Sequence, residues 1–332
     1  MTHSLEVRSA TDRRVSVVLP FKNGARTLAR AISSILENEE VGELILVNDQ
    51  STDGFQRVID SFDDPRILLL DNEGSGIADG FNTGLKRARC EFIAKCDDDD
   101  LYVAGRFIHQ VRALDSSPDI VAVGGQHLVC LDDGTEIGKL PLYDEARNIS
   151  ESLCEGVPEV YFTTCLVRRD VLLKMGGKRN YFYVAEDLDT LFRLGMEGEV
   201  LYLPGVVYIH HLRKESISHR TRRSRHKFFN AKAKEFAEQR KQFGKDDLQV
   251  GKAEKWEDDR EVSEDSSEYL NNRIIGILTA NAFYNLNGGR NRLALAQIAR
   301  ALTMNITVLA TWRSACVIVV RVVLPRARSP KN

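Results

Sequence analysis

From Val15 to Ser117 the chain repeats one pattern: a short apolar run rich in β-branched residues, a polar link, then a segment of helical periodicity. VSVVLP, ended by Pro20, reads as a buried strand, and ARTLARAISSILEN then sets Leu28, Ile32, Ile35 and Leu36 at helical spacing. GELILVND with DGFQRVIDSF, RILLLDN with GIADGFNTGLKRAR, and EFIAKCD with GRFIHQVRALDSS continue the alternation. Short links between alternating strands and helices predict the α/β class, with a parallel, doubly wound sheet. In such sheets ligands bind beyond the carboxyl ends of strands. Three polar clusters fall at those ends: PFKN, VNDQSTDG and CDDDD.

Beyond Ser117 the pattern loosens. IVAVGGQHLVCLDDG reads as strands and a turn, and VYFTTCLVRRDVLLKMGG as a strand and a helix stopped by glycines. AEDLDTLFRLGMEG reads as a helix opening on two acids, and EVLYLPGVVYIHHLR closes the sheet-like part. Between Arg213 and Lys245 stand twelve Lys and Arg residues against Glu215, Glu235 and Glu238. A polar stretch near 245–267 reads as a linker or mobile loop, and helical pattern resumes from Glu268. The expected organisation is a tail over 1–14, an α/β domain over 15–218 and a mostly helical C-terminal extension over 219–332.

Composition narrows the class. With 43% hydrophobic and 28% charged residues the chain is of ordinary globular type, and a net charge of −2 argues against a general nucleic-acid binder. The six cysteines (Cys90, Cys96, Cys130, Cys154, Cys165, Cys316) have no zinc-like spacing and read as core residues in a reducing compartment. The N-terminus lacks the apolar stretch of a secretory signal, and no apolar run approaches the ~20 residues of a membrane span. The expected location is the cytoplasm.

The run Asp97–Asp100 asks for an explanation, because four like charges repel. A solvated loop is one answer; a divalent cation is the other, since coordination offsets the repulsion. On an extended strand end Asp97 and Asp99, two apart, would face the same way and suit Mg²⁺ or Mn²⁺ with phosphate oxygens. An EF-hand fits badly, with Leu101, Tyr102 and Ile108 at ligand and turn positions. In VNDQSTDG, Ser51 and Asp53 read as caps of the next helix, while Asp49 is placed to receive a ribose hydroxyl or a base N–H. Glu186 and Asp187 open a helix, where the dipole favours anions. The glycines of NEGSGIADGFNTG miss the dinucleotide fingerprint by one residue, which counts against a dehydrogenase.

Taken in order, VVLPFKN, LILVNDQSTDG, DNEGSGIADGFNTGLKRAR, EFIAKCDDDDLY, AEDLDTLFRL and RKESIS make the segment from Val15 to about Ser218 resemble the inverting family 2 glycosyltransferases. The resemblance implies the GT-A fold, a Rossmann-like, mostly parallel sheet flanked by helices. It implies a nucleotide-sugar donor, a UDP-sugar by preference, a divalent metal (Mg or Mn), and inversion at the anomeric carbon. Nucleotide contacts are implied at Pro20, Phe21, Asn23 and Asp49, with Asn82, Asp97 and Asp98, and the metal motif at Asp97 and Asp99. Asp187 is implied as catalytic base, with Glu186 beside it. A carbohydrate or lipid-linked acceptor in cell-surface polysaccharide or glycolipid synthesis is implied as well.

Three departures stand out. Asn48 occupies a usual aspartate position, and Phe81 replaces a common arginine before Asn82. Arg213 stands where a histidine is frequent, with His210 and His211 just upstream. Either a shifted loop lets His211 serve as a metal ligand, or Arg213 neutralises the diphosphate directly. Two other functional classes stay open: a nucleotidyltransferase, for which PFKNGARTL is a poor phosphate loop, and a degenerate, non-catalytic nucleotide-sugar-binding member. From Ile306 to Asn332 arginines and a lysine interleave with apolar residues and no acid occurs. Such a segment suits an interfacial helix on an anionic membrane surface, peripheral on its inner face. The alternative is a core helix packed on the catalytic domain or a homodimer partner.

Overall fold

The computed structural model describes residues 13–213, 223–257, 266–305 and 309–323. The chain divides into two compact units, which are described separately. The first comprises the described residues of 13–127, 143–210 and 223–257, and the second those of 128–142, 211–213, 266–305 and 309–323.

The first unit opens with the predicted alternation: β1 (Val15–Phe21), α1 (Leu28–Leu36), β2 (Val41–Asn48), α2 (Phe55–Ile59), β3 (Ile67–Asp71), α3 (Gly76–Arg87) and β4 (Phe92–Lys95). A two-residue strand β5 (Leu101–Tyr102) and α4 (Arg106–Ser116) follow. β6 (Ile120–Leu131), β7 (Glu136–Leu140, in the second unit), β8 (Arg147–Asn148), α5 (Ser150–Cys154), β9 (Leu166–Arg168), α6 (Arg169–Lys174), α7 (Glu186–Glu197) and β10 (Glu199–Leu212) come next along the chain. The strand order is β3-β2-β1-β4-β9-β6-β10-β5. Pairings β3/β2, β2/β1 and β1/β4 are parallel, whereas β4/β9, β9/β6 and β10/β5 are antiparallel. The parallel part is thus the segment with regular alternation, and the sheet becomes mixed where that pattern loosens.

Alternate side chains of β1 serve opposite faces of the sheet, as the two-residue strand period requires. Val15, Val17, Leu19 and Phe21 join Leu28, Ala31, Ile32 and Ile35 of α1 in one buried cluster. Val18 joins Phe81 and Leu85 of α3, together with Leu191 and Leu194 of α7, in another. The chain runs β1→β2→β3 outward on one side and then places β4 on the other side of β1. This reversal is the topological switch point, where open α/β sheets form their ligand crevice.

The C-terminal part of the first unit differs from the expected organisation. Helix α8 (Arg223–Phe243) packs Phe229, Ala233, Phe236 and Ala237 into the first unit's core. The polar stretch after it is not a free linker over 245–257. Asp246 is buried between Arg179 and Arg240, 2.7 Å and 2.5 Å away, and the Tyr181 hydroxyl donates to the Glu254 carbonyl at 2.6 Å. Leu248, Ala253 and Trp256 pack on the same core. A carboxylate shared by two guanidiniums can be buried in spite of its charge, so polar composition here marks an ordered ion-pair cluster. Residues 258–265 lie outside the described residues.

The second unit joins β7 and its hairpin partner, residues 128–131, to α9 (Ser266–Asn287), α10 (Asn291–Met304) and α11 (Leu309–Val323). Val129, Ile137, Leu278, Ile298 and Ile318 lie in its buried cluster. Asn281 reaches from α9 to the β7 backbone, accepting from Lys139 N–H and donating to its carbonyl, both at 3.2 Å. Among the described residues no helix is long and apolar enough to cross a membrane.

Candidate active site

The loops at the carboxyl ends of β1 and β2 lie side by side because their strands are parallel neighbours. Asn23 N–H donates to Ser51 Oγ (2.9 Å), Thr52 N–H to Asn23 Oδ1 (2.8 Å), and Ala25 N–H to Asp53 Oδ2 (2.8 Å). Ser51 and Asp53, expected to cap the next helix, instead lock the first loop to the second. Helix α2 opens on Gly54 without a side-chain cap. Among the described residues, three non-glycine residues have left-handed backbone: Asn23 (φ 55°), Gln50 (φ 58°) and Ala185 (φ 68°). Each belongs to a loop of this site, and such conformations persist where surrounding bonds enforce them.

Asp49 follows β2 and is buried. Its carboxylate accepts from Asn72 Nδ2 (2.9 Å) and Gly76 N–H (3.2 Å) and lies 3.3 Å from Lys22 Nζ. Pro20 and Phe21 point inward, Phe21 against the ring of Phe55 at 5.1 Å. What these two residues offer a ligand is therefore backbone. Lys22 and Asn72, given no role in the sequence reading, surround Asp49.

The acidic run is a turn and not an extended strand end. β4 stops at Lys95, and Asp100 N–H donates to the Asp97 carbonyl at 3.2 Å. The alternation argument for Asp97 and Asp99 on one face is thereby corrected. The four acids differ in environment. Asp100 is buried with Oδ2 at 3.0 Å from His210 Nδ1, and Asp98 lies against Gly24, where any Cβ would collide with its carboxylate. Asp97 and Asp99 are half-buried. Among the described residues no three His, Cys, Asp or Glu side chains converge as a cation cage. Mg²⁺-type sites completed by phosphate and water use one or two carboxylates, and Asp97 and Asp99 are half-buried hard-oxygen donors of that type.

Two buried lysines join the carboxylate sets. Lys95 Nζ lies 2.7 Å from Asp97 Oδ1 and 3.1 Å from Asp187 Oδ2. Lys178 Nζ pairs with Asp187 Oδ1 and lies 3.6 Å from Glu186 Oε1. The Lys178 ammonium also lies 4.8 Å from the ring centres of both Phe81 and Phe162. Asn82 holds the backbone of Lys178, donating to its carbonyl and accepting from its N–H, both at 2.8 Å. The approach needs Gly177, whose φ is 71° and whose Cβ, if present, would overlap Asn82 Oδ1. Asn82, expected at the nucleotide, gives one donor and one acceptor to the backbone of Lys178.

These contacts set the charge states. Burial pushes the Asp187 carboxyl up, but Lys178 and Lys95 override it and hold the pKa at about 2. Burial and the neighbouring Asp187 charge raise Glu186 above the usual carboxylate range. Burial opposes the charge on Lys95, and the surrounding carboxylates reverse the effect and raise its pKa. For Lys178, burial and the like charge of Lys95 lower it. Asp187 keeps 30% of its side chain exposed, whereas Glu186 keeps 9%. Of the two acids, Asp187 is the one that meets solvent.

His211 and Arg213 belong to the second unit. Both are buried, and Arg213 Nε lies 2.9 Å from Asp132 Oδ1. The remainder of RKESIS lies outside the described residues.

The fold and site define an α/β protein with acids and lysines gathered at the carboxyl ends of β1, β2 and β4. Residues 16–176 match the sequence model described as Glycosyl transferase family 2. The chain is 31% identical over 195 residues to the putative glycosyltransferase EpsE of Bacillus subtilis, covering 56% of this chain and 68% of EpsE. It is 37% identical over 105 residues to the UDP-Glc:alpha-D-GlcNAc-diphosphoundecaprenol beta-1,3-glucosyltransferase WfgD of Escherichia coli, covering 31% of this chain and 42% of WfgD. The crystal structure of S. aureus TarS 1–349 in complex with UDP-GlcNAc superposes with a TM-score of 0.50 at 14% identity, over 92% of this chain and 79% of that one. The chain belongs to glycosyl transferase family 2. It spans less than half of WfgD and 37% of a Rickettsia typhi relative.

Proposed function

We propose that the protein transfers a sugar from a nucleoside diphosphate donor to an acceptor hydroxyl with inversion. The observation that carries this reading is the reach of one ammonium, Lys95, to both Asp97 and Asp187. It sets the acid nearest the β4 turn beside the solvent-facing acid at the start of α7. WfgD, the sequence relative above, is named for a UDP-Glc donor and a lipid-diphosphate acceptor. A UDP-sugar donor and a carbohydrate or lipid-linked acceptor at the cytoplasmic membrane face follow as the preferred substrates.

In the proposed reaction Asp187 takes the proton of the acceptor hydroxyl. The acceptor oxygen forms its bond to the anomeric carbon as the bond to the diphosphate oxygen breaks, and the diphosphate leaves with the electron pair. One displacement gives inversion, through the oxocarbenium-like state common to glycosyl chemistry. Asp99 and Asp97 would hold Mg²⁺ or Mn²⁺, which when bound supplies charge stabilisation for the leaving diphosphate. Asp49, ringed by Lys22, Asn72 and Gly76 N–H, supplies an acceptor for the nucleoside. Lys178 and Lys95 keep Asp187 ionised and fix its orientation.

One observation favours a second reading, a member that binds donor without turnover. A carboxylate held at about pKa 2 by two ammoniums is a weak base until something displaces a lysine. Release of UDP from a panel of UDP-sugars with Mn²⁺ separates the readings. Turnover that Asp187→Asn abolishes supports transfer. Saturable donor binding without turnover, across carbohydrate and lipid-linked acceptors, overturns it.

A further inference from the structure

Helix α11 has two unlike faces. Thr311, Ala315 and Ile318 are buried in the second unit's core, so the core-helix alternative describes one face of it. The opposite face is apolar and exposed: Leu309 (64%), Trp312 (46%), Val319 (46%), Val320 (55%) and Val323 (69%). At 100° per residue these side chains lie within an arc of roughly 100°, Arg313 stands just beyond its edge, and the exposed Val317 (44%) lies further round on the other side of Arg313. From Tyr269 to Asn332 the chain contains nine arginines and lysines and no aspartate or glutamate.

We propose that this face of α11 docks on an anionic lipid leaflet. Apolar side chains, a tryptophan and cationic residues on one helix match the needs of an interfacial helix, and a segment without acids complements anionic headgroups. Over its described 15 residues the helix is about 22 Å long, short of the ~30 Å hydrocarbon core, and the proposed placement is along the surface. A second copy of the chain is the poorer occupant. Symmetric pairing through this face would bring two cationic segments together, with no acid in α10 or α11 to compensate.

The test is sedimentation of the full chain with vesicles of phosphatidylglycerol and phosphatidylcholine, compared with vesicles of phosphatidylcholine alone. Binding to the anionic vesicles is expected to be salt-sensitive and to fall at least about tenfold in Val320→Asp/Val323→Asp. Arg313→Gln/Arg321→Gln is expected to erase the preference for anionic vesicles. Should the aspartate variant melt early, Val320→Ser/Val323→Ser, at the same exposed positions, gives the reading. Equal sedimentation of wild type and folded variants overturns the proposal. So does a dimer in light scattering that the same substitutions convert to monomer without any vesicle binding.

Discussion

Lys178 and Asp187 form an ion pair in which the lysine side chain is wholly buried and the aspartate side chain keeps 30% of its surface exposed. The cation is fixed by the protein and the anion faces outward, as a base needs if it is to meet a substrate. Asn82 holds the backbone of that lysine from α3, 96 residues earlier in the chain.

Asp187→Asn is expected to retain donor affinity and lose transfer by ~10²–10⁴-fold, the usual cost of removing a general base. It also leaves two buried ammoniums facing an amide, so its Tm should fall. Glu186→Gln, at the more enclosed acid, should keep more activity than Asp187→Asn. Steady-state kinetics with a donor titration checks both; near-normal turnover in Asp187→Asn beside a dead Glu186→Gln would reverse the assignment.

Removing the Lys178 charge should move the acid limb of the pH–rate profile. The ammonium favours the carboxylate form of Asp187, so Lys178→Met destabilises that form and raises its pKa from about 2. Activity that is flat through mildly acidic pH in the wild type should then decline at higher pH in the variant. A wild-type and a variant profile with the same acid limb would contradict the role given to Lys178.

Asp99→Asn should weaken Mn²⁺-dependent UDP binding and leave the melting curve nearly unchanged, because Asp99 is half-buried on a turn. Calorimetry of UDP binding with and without Mn²⁺ is the check. An unchanged Mn²⁺ dependence would remove Asp99 from the metal site.

Asn82→Ala removes both hydrogen bonds to the Lys178 backbone, inside a loop whose geometry they define. The expected cost is about 1–3 kcal/mol of stability, since the Lys178 N–H and carbonyl lose their partners. Denaturant unfolding measures it, and a change below a few tenths of a kcal/mol would show that the loop holds its shape without Asn82.

Much of this was legible in the sequence for local reasons. β1 to β4 and the helices between them follow from periodicity, because β-branched runs and i, i+3, i+4 spacing report burial directly. The places of Asp49 after β2 and of Asp187 at the start of α7 were legible because each ends an apolar run or opens a helical pattern, whereas the turn that carries Asp97 and Asp99 was not. Lys95 carried a weak signal, a lysine inside the apolar run FIAKC. Lys178 carried none, because its role depends on the left-handed Gly177 and on Asn82, 96 residues earlier in the chain. Ser51 and Asp53 were misassigned for the same reason: they act on the neighbouring strand's loop, not on their own helix. Asp246 defeated a compositional reading because its two arginine partners come from α8 and from the loop before α7.

The most direct test of the central claim is the configuration of the first sugar formed. With an α-linked UDP-sugar as donor, Mn²⁺ present and water as slow acceptor, proton NMR resolves the anomeric signal before mutarotation. Base-assisted single displacement predicts that the β-anomer appears first and that Asp187→Asn abolishes its formation. First appearance of the α-anomer, or β-anomer formation at an unchanged rate in Asp187→Asn, would contradict the account.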